Sequence, residues 1–376
     1  MQVEIPRGLQ RKELSDRAPL DAAPRIIGGM FGLESRGRVG ADPPFLDLPL
    51  PDAPFSDPPF LKGSCLLLAN GRSAIRVVTN ALPRGKVWLP SFMCAAVLSG
   101  VADHSRLRFY PIDRQLQISD WKWLKDVQPG DIVLVVDYFG FPCDPALCEQ
   151  VRSRHAWLLK DASHSLLSKN ADAGMNFVVY SPRKTLAVPD GGVLAIRDCD
   201  EWPSVLLFAP PPSWTLLSQE AFVARAHYDL HGGERRFFTL FQQADREAPA
   251  GSFAMSALAE TLLTTSFDYA EIAQNRRENY SVLATRLGHV AIFPILPKGV
   301  VPLGFPIRIR DRDRVREELF RENIFPPLHW PVPPSVPRKF SDSYQLAEES
   351  LTLVCDQRYG PEDMERTCDV LLRSLS

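Results

Sequence analysis

Five short runs in this chain are apolar on both faces, and they constrain its fold more than any other feature. Residues 86–89, 131–137, 156–160, 176–180 and 193–196 show no alternation of polar and apolar positions. A strand of that kind must be covered above and below, as in a mainly parallel sheet layered with helices. Segments 72–82 and 145–154 carry a helical pattern and lie between the runs. The alternation predicts an α/β layered domain whose ligands sit beyond the carboxyl ends of the strands.

The flanking regions read differently. Residues 43–59 hold seven prolines. Each fixes φ and removes a donor, so the stretch is extended and is expected to be a surface-hugging arm. Residues 254–287 form a long helical region with a break near Ser266. Beyond Gly288, strands at 290–294 and 306–310, a helix at 312–322, a loop with six prolines in 326–337 and a helix at 361–374 predict a smaller C-terminal α/β domain. At about 100–200 residues per domain, the length suits two domains. The expected organisation is an N-terminal arm over 1–62, a large domain over 63–287 and a small domain over 288–376.

Composition narrows the partners. Forty-three Lys and Arg against 45 Asp and Glu leave a net charge of −2, which gives no general attraction to nucleic acid or anionic lipid. Hydrophobic residues at 45% and charged residues at 23% exclude wholesale disorder. The seven cysteines include no C-x-x-C pair, and Cys143 and Cys148 are separated by four residues. Free thiols in a reducing compartment are expected rather than a disulfide framework or structural zinc. The N-terminus carries Glu4, Arg7, Arg11, Lys12 and Glu13 without an apolar core, so no signal peptide is expected. The most apolar stretch, 132–141, is interrupted by Asp137 and is shorter than a membrane span. These features predict a soluble, cytoplasmic protein with no membrane or nucleic-acid partner.

The chemistry is concentrated in Tyr180-Ser-Pro-Arg-Lys184-Thr-Leu-Ala-Val-Pro-Asp-Gly191-Gly192, where a lysine follows an apolar run. Three readings compete: a surface turn with a solvated Arg-Lys pair, a Ser-x-x-Lys nucleophile, and a lysine forming a Schiff base with pyridoxal phosphate. The nucleophile reading needs a downstream Lys-Thr-Gly, but Lys184-Thr185 is followed by Leu186. The third needs a carboxylate against the pyridine nitrogen and a cradle for the phosphate. Asp161 ends an apolar run and can be that carboxylate, with His164 three residues on. Asn70-Gly71-Arg72-Ser73-Ala74 opens a helix, whose first amides lack intrahelical partners and suit a phosphate. Taken singly, each of these is as well explained by an ordinary turn or a packed histidine.

Together, Asn70-Gly-Arg-Ser-Ala, Leu89-Pro-Ser-Phe, Asp161-Ala-Ser-His164 and Ser181-Pro-Arg-Lys184 through Gly191-Gly192 resemble the DegT/DnrJ/StrS sugar aminotransferase family. Ile27-Gly-Gly-Met-Phe-Gly-Leu-Glu34, Asp137-Tyr-Phe-Gly140, Asp268-Tyr-Ala-Glu and Arg276-Arg-Glu-Asn-Tyr280 add to it, and the likeness covers most of residues 27–285. The resemblance implies an aspartate-aminotransferase-like, fold type I large domain with a mainly parallel seven-stranded sheet. It implies pyridoxal 5'-phosphate held by Lys184, Asp161 at the pyridine nitrogen and His164 at the phenolic oxygen. Ser73, the Gly71 and Arg72 amides and Ser181 would hold the phosphate, and one residue of Phe92-Met93-Cys94, with Phe92 as the candidate, would lie over the ring. It further implies a homodimer that moves an amino group from a donor such as glutamate to a keto-sugar carried on a nucleotide. Alternatives are a non-sugar keto or aldehyde acceptor, and a cofactor-binding regulatory relative without turnover. The likeness departs at Gly251-Ser-Phe-Ala-Met-Ser256, which lacks the Asn that many members lend to the neighbouring subunit's phosphate site.

Three further features invite a functional reading. His227 and His231 have the spacing of a metal-binding helix, but no Glu follows His227 and Gly232-Gly233 cuts the helix short, so no metal site is expected. Arg308 and Arg310 alternate on an expected strand and would share a face. His329-Trp330, in the proline-stiffened loop, can stack on a sugar or base, although packing is the better reading for the tryptophan.

Overall fold

Successive apolar side chains on a strand leave no face for water, and a single central sheet meets that demand. The structure, a computed structural model, describes residues 25–32, 57–169, 173–199 and 202–375. The expected arm over 43–59 lies outside the described residues except for its last three positions. In chain order the strands are β1 (Ile27–Gly28), β2 (Cys65–Leu68), β3 (Val87–Pro90), β4 (Leu107–Tyr110), β5 (Ile132–Val136), β6 (Trp157–Asp161), β7 (Phe177–Tyr180), β8 (Gly192–Ile196), β9 (Phe305–Arg308), β10 (Ile324–Phe325) and β11 (Ser350–Leu353). The helices are α1 (Gly71–Ala81), α2 (Ala95–Ser99), α3 (Pro145–Arg152), α4 (Pro212–His231), α5 (Arg236–Arg246), α6 (Ala257–Thr265), α7 (Tyr269–Leu287), α8 (Arg312–Arg321), α9 (Ser341–Glu349) and α10 (Pro361–Leu375).

Seven strands form the main sheet in the order β2-β8-β7-β6-β5-β3-β4. β4, β3, β5, β6 and β7 are parallel, while β8 is antiparallel to both its neighbours. The expected seven-stranded, mainly parallel sheet is therefore present. Ile132, Val133, Leu134 and Val135 of β5 are fully buried. Burying a side chain of this size is worth about 1.5–3 kcal/mol, so the doubly apolar runs drive the layering.

Local chemistry starts the helices. Asn70, Asp144, Ser256 and Asp268 each accept a first-turn amide and cap α1, α3, α6 and α7. The break expected near Ser266 is real: α6 ends there and Asp268 caps α7. On α7, Arg276, Asn279 and Tyr280 share one buried face and donate to carbonyls of the C-terminal segments. Arg276 donates to Pro302 and Leu303, Asn279 to Asp356 and Tyr359, and Tyr280 to Phe293.

The C-terminal region differs in detail from expectation. Residues 290–294 do not form a strand; Ala291 makes one isolated bridge to Ile307. Pro306 has no N–H, so a regular ladder cannot extend there. β9 instead pairs antiparallel with β11. Arg310 lies past the end of β9, in the turn into α8, and does not share a strand face with Arg308. β1 pairs in parallel with β10, so residues near the N-terminus join the C-terminal part. α4 and α5 pack on each other around Ala221, Phe237 and Phe241. Among the described residues no helix is long and apolar enough to cross a membrane.

One ion pair is buried within this apolar framework. Lys160 Nζ lies 3.2 Å from Asp137 Oδ1, and both side chains are at most 5% exposed. Burial pushes the Asp137 carboxyl up, while Lys160, the Cys143 amide and the Ser165 hydroxyl pull it back. Removing one partner strands the other charge in the interior. Lys160→Met should therefore cost about 3–5 kcal/mol in urea unfolding, and adding Asp137→Leu should restore much of it. A double variant no more stable than the single one would refute this account of the pair.

Candidate active site

Parallel neighbours β3, β5, β6 and β7 end on the same edge of the sheet, and the candidate residues lie just beyond those ends. Phe92 comes after β3, Tyr138 after β5, Asp161 and His164 lie at the end of β6, and Ser181 and Lys184 come after β7. Strand alternation turns Asp161 to the face opposite Lys160. Asp161 Oδ1 accepts the Ser163 amide at 2.9 Å. Its charge, after the larger effect of burial, helps push the Tyr138 phenol up.

His164 is the most constrained group. Its Nδ1 accepts the Phe139 amide at 3.2 Å. A neutral imidazole bonded in that way carries its proton on Nε2. That Nε2 is buried and has no partner. Burial first, then Lys184 and His329, hold the His164 imidazole well below its ordinary value, so the ring is neutral. Backbone shape makes the Phe139 contact possible. Phe139 and Gly140 have φ values of 56° and 100°, and a Cβ on Gly140 would fall 2.4 Å from the Val301 carbonyl oxygen. Asp137-Tyr-Phe-Gly140 is thus a left-handed turn whose function is to aim one amide at His164.

Around His164 stands an aromatic wall. Its ring lies 5.2 Å from Trp330 and 5.5 Å from both Phe139 and His329. Phe92 is buried, with Trp330 at 5.6 Å and Tyr138 at 6.1 Å, and the Tyr138 hydroxyl donates to the Phe92 carbonyl. His329 bonds Thr352 Oγ1 at 2.9 Å, and burial followed by Lys184 pushes its imidazole down to about 3. His329 and Trp330 come from the proline-rich loop, which brings the C-terminal region to the sheet edge.

Lys184 ends the short turn Pro182–Lys184, and its amide donates to the Ser181 carbonyl at 3.1 Å. The next carbonyl, of Thr185, accepts from Gln357 Nε2 at 2.9 Å and from Arg276, which fixes the turn against α7 and the C-terminal region. Among the described residues no acceptor or carboxylate pairs with the Lys184 ammonium.

Gly71, Ser163 and Ser181 converge beside this turn. A Cβ on Gly71 would lie 3.8 Å from both Ser163 Oγ and Ser181 Cβ. The glycine pair explains how the chain passes so close. Gly191 N donates to the Ala69 carbonyl, and a Cβ on Gly192 would lie 2.2 Å from the Asn70 carbonyl carbon. The Gly71 and Arg72 amides, at the first turn of α1, have no intrahelical acceptor. Side chains nearby are committed elsewhere. Ser73 is buried and donates to the Pro249 carbonyl at 3.1 Å. Arg72 pairs with Asp245 at 3.1 Å, and Arg183 reaches the same carboxylate oxygen at 3.4 Å. Ser163 was hidden inside the Asp161-x-x-His164 motif, whereas Asp245 arrives through long-range packing that spacing cannot reveal.

The remaining sequence features stand apart. His227 and His231 lie on α4 with ring centroids 4.8 Å apart. Arg308 pairs with Glu349 at 3.4 Å.

No family model and no curated protein sequence matches the chain. Solved structures do. PseC from Helicobacter pylori, an aminotransferase involved in the biosynthesis of pseudoaminic acid, is 14% identical, with a TM-score of 0.61 over 83% of this chain and 86% of that one. A DegT DnrJ EryC1 StrS aminotransferase from Brucella abortus is 17% identical, with a TM-score of 0.55 over 83% and 86%. DesV from S. venezuelae, in complex with a ketimine intermediate, is 16% identical, with a TM-score of 0.55 over 82% and 84%. This chain shares their fold, which is the type I arrangement that the motifs imply.

The two neutral histidines carry a pH signature. Their folded values lie below the unfolded value of about 6.5, so the unfolded chain binds protons that the folded chain refuses. Stability should be fully present above that value and decline as pH falls toward 3. Between pH 7 and 5 the melting temperature should drop, and more shallowly in His329→Gln; equal slopes would refute the neutral assignment.

Proposed function

We propose that this chain is a pyridoxal-phosphate-dependent aminotransferase of the DegT/DnrJ/StrS type. The observation that carries this reading is the buried, partnerless Nε2–H of His164, at the same sheet edge as Lys184 and Asp161. Pyridoxal phosphate presents an aldehyde, a phenolic oxygen, a pyridine nitrogen and a phosphate, and the residues present fit all four. When bound, it supplies an electron sink for charge developing at the substrate carbon.

Lys184 Nζ, unpaired among the described residues, would hold the aldehyde and would serve as the base that takes and returns the proton at the substrate carbon. His164 Nε2–H would donate to the phenolic oxygen. Asp161 would hold the pyridine nitrogen protonated. The Gly71 and Arg72 amides and the Ser163 and Ser181 hydroxyls would take the phosphate, with Ser73 bracing Pro249 beside them. Phe92 and Trp330 would form an apolar wall that keeps water from the ring.

Glutamate is the proposed amino donor and a nucleotide-linked keto-sugar the proposed acceptor; both come from the family resemblance, and the aminotransferase PseC is described as involved in the biosynthesis of pseudoaminic acid. One observation favours a smaller keto or aldehyde acceptor instead. Of Arg72, Arg183, Arg308 and Arg310, the cations suited to a diphosphate, the first three already pair with Asp245 or Glu349. The seven cysteines are free thiols, which fits a cytoplasmic setting.

The test begins with purified protein and pyridoxal phosphate. A yellow band that borohydride abolishes, with the cofactor fixed to Lys184, is expected; a colourless protein or an adduct on another lysine would overturn the assignment. Glutamate should then yield 2-oxoglutarate with a nucleotide-linked 3-keto or 4-keto sugar. Reaction only with keto acids or simple aldehydes would keep the enzyme class and discard the sugar.

A homodimer completes the proposal. Sedimentation with cofactor should show twice the 42.1 kDa chain mass, and a purely monomeric species would contradict it.

A further inference from the structure

Two of the seven cysteines meet in space, in a part of the molecule that the proposed reaction does not use. Cys143 Sγ and Cys148 Sγ lie 3.9 Å apart. Helix geometry explains the contact. Asp144 caps α3 and Pro145 is its first residue, so Cys143 precedes the cap and Cys148 is the fourth helical residue. Those two positions face each other at a helix N-terminus and usually hold a pair of apolar side chains. Here the pair is two thiols. Cys143 is partly exposed and Cys148 is buried.

We propose that Cys143 and Cys148 are a reversible disulfide site, oxidised by a hydroperoxide and reduced by a small dithiol. The sulfurs must close from 3.9 Å to about 2.0 Å, a movement that a side-chain rotation and a small shift of the loop before α3 can supply. The surroundings favour a thiolate at Cys148. The hydrogen bond shared with Cys143 comes first, and after burial works in the opposite sense Lys160 adds a positive charge; together these hold the Cys148 thiol below its ordinary value. The same contact, and then burial, push the Cys143 thiol up. The Cys148 sulfur attacks one peroxide oxygen, the O–O bond breaks, and hydroxide leaves to be protonated as water. The sulfenic acid so formed is attacked by the Cys143 sulfur, the S–O bond breaks, and a second water leaves with the Cys143 proton. Two thiols lose two electrons and the peroxide gains them.

The site is wired to the candidate active site through backbone. The Cys143 amide donates to Asp137 Oδ1 at 3.0 Å. Asp137 also accepts from Lys160 Nζ and from Ser165 Oγ at 2.9 Å. Lys160 is the neighbour of Asp161, and Ser165 the neighbour of His164. A shift of Cys143 on oxidation therefore loosens the carboxylate that ties the ends of β5 and β6.

Trypsin tests the chemistry directly, because residues 126–152 contain both thiols and no internal Lys or Arg. Protein treated with hydrogen peroxide and then alkylated should give this peptide two hydrogens lighter and unalkylated, and dithiothreitol should reverse the change. A doubly alkylated peptide, a sulfinic acid beside a free thiol, or pairing with another cysteine would overturn the site. The link to the active site is read by pyridoxal phosphate titration. Oxidised protein should bind about fivefold or more weakly than reduced protein, and Cys148→Ser should bind equally before and after peroxide. Equal affinity of oxidised and reduced wild type would sever the link. Because the peptide is read without cofactor, a failure of the aminotransferase reading leaves this result standing.

Discussion

Lys160 Nζ and Asp137 Oδ1 meet 3.2 Å apart inside a layer that is otherwise apolar, and β6 cannot slide against β5 without parting them. The register sets Val135 opposite Lys160 and Val136 opposite Asp161. A slip of one residue would turn every side chain of β6 to the other face. Lys160 would then lose its carboxylate, and Asp161 would turn to the opposite face of the sheet. The desolvation penalty of an unpaired charge makes that slip prohibitive. An interaction with no chemical role thus decides which carboxylate faces the cleft. The same Asp137 accepts from Ser165 Oγ and the Cys143 amide, so it ties three segments at the sheet edge.

Backbone constraints then refine the site that the ion pair positions. Gly140 lets a left-handed turn present the Phe139 amide to His164, and this one bond decides which imidazole nitrogen carries the proton. Gly192 lets β8 cross the Asn70–Gly71 peptide at a distance no side chain would tolerate. That crossing presses the first turn of α1 toward Ser163 and Ser181. Two glycines therefore do for the histidine and the amides what packing does for the strands. Arg276 and Gln357 add the last restraint by sharing the Thr185 carbonyl next to Lys184.

How much of this was legible depended on the range of the interaction. The doubly apolar runs announce the parallel sheet because burial of both faces is recorded residue by residue in 131–137 and 156–160. The break at Ser266 is legible because Asp268 caps amides on its C-terminal side alone, so a new helix has to begin there. Asp161, His164, Ser181 and Lys184 lie close behind their strands and could be named from spacing. Other features had no local signature. The pairing of β1 with β10 joins Ile27 to Ile324, and nothing near Ile27 foretells it. Residues 290–294 look like a strand but meet Pro306, whose missing N–H stops the ladder. Arg72 is expected to act through its amide, and nothing near it foretells that α5 delivers Asp245 to its guanidinium.

Charge explains why the arrangement suits proton transfer. Burial disfavours the imidazolium form of both His164 and His329, and the Lys184 ammonium disfavours it further. Were either ring charged, it would repel Lys184 across a poorly hydrated space and shift its proton affinity. Neutral rings instead offer N–H donation without competing for the positive charge. Arg72 and Arg183 raise the positive potential near the first turn of α1, and Asp245, shared between them, offsets one of the two charges. The lysine is the cation whose charge both imidazoles feel, and neither imidazole adds a second positive charge beside it.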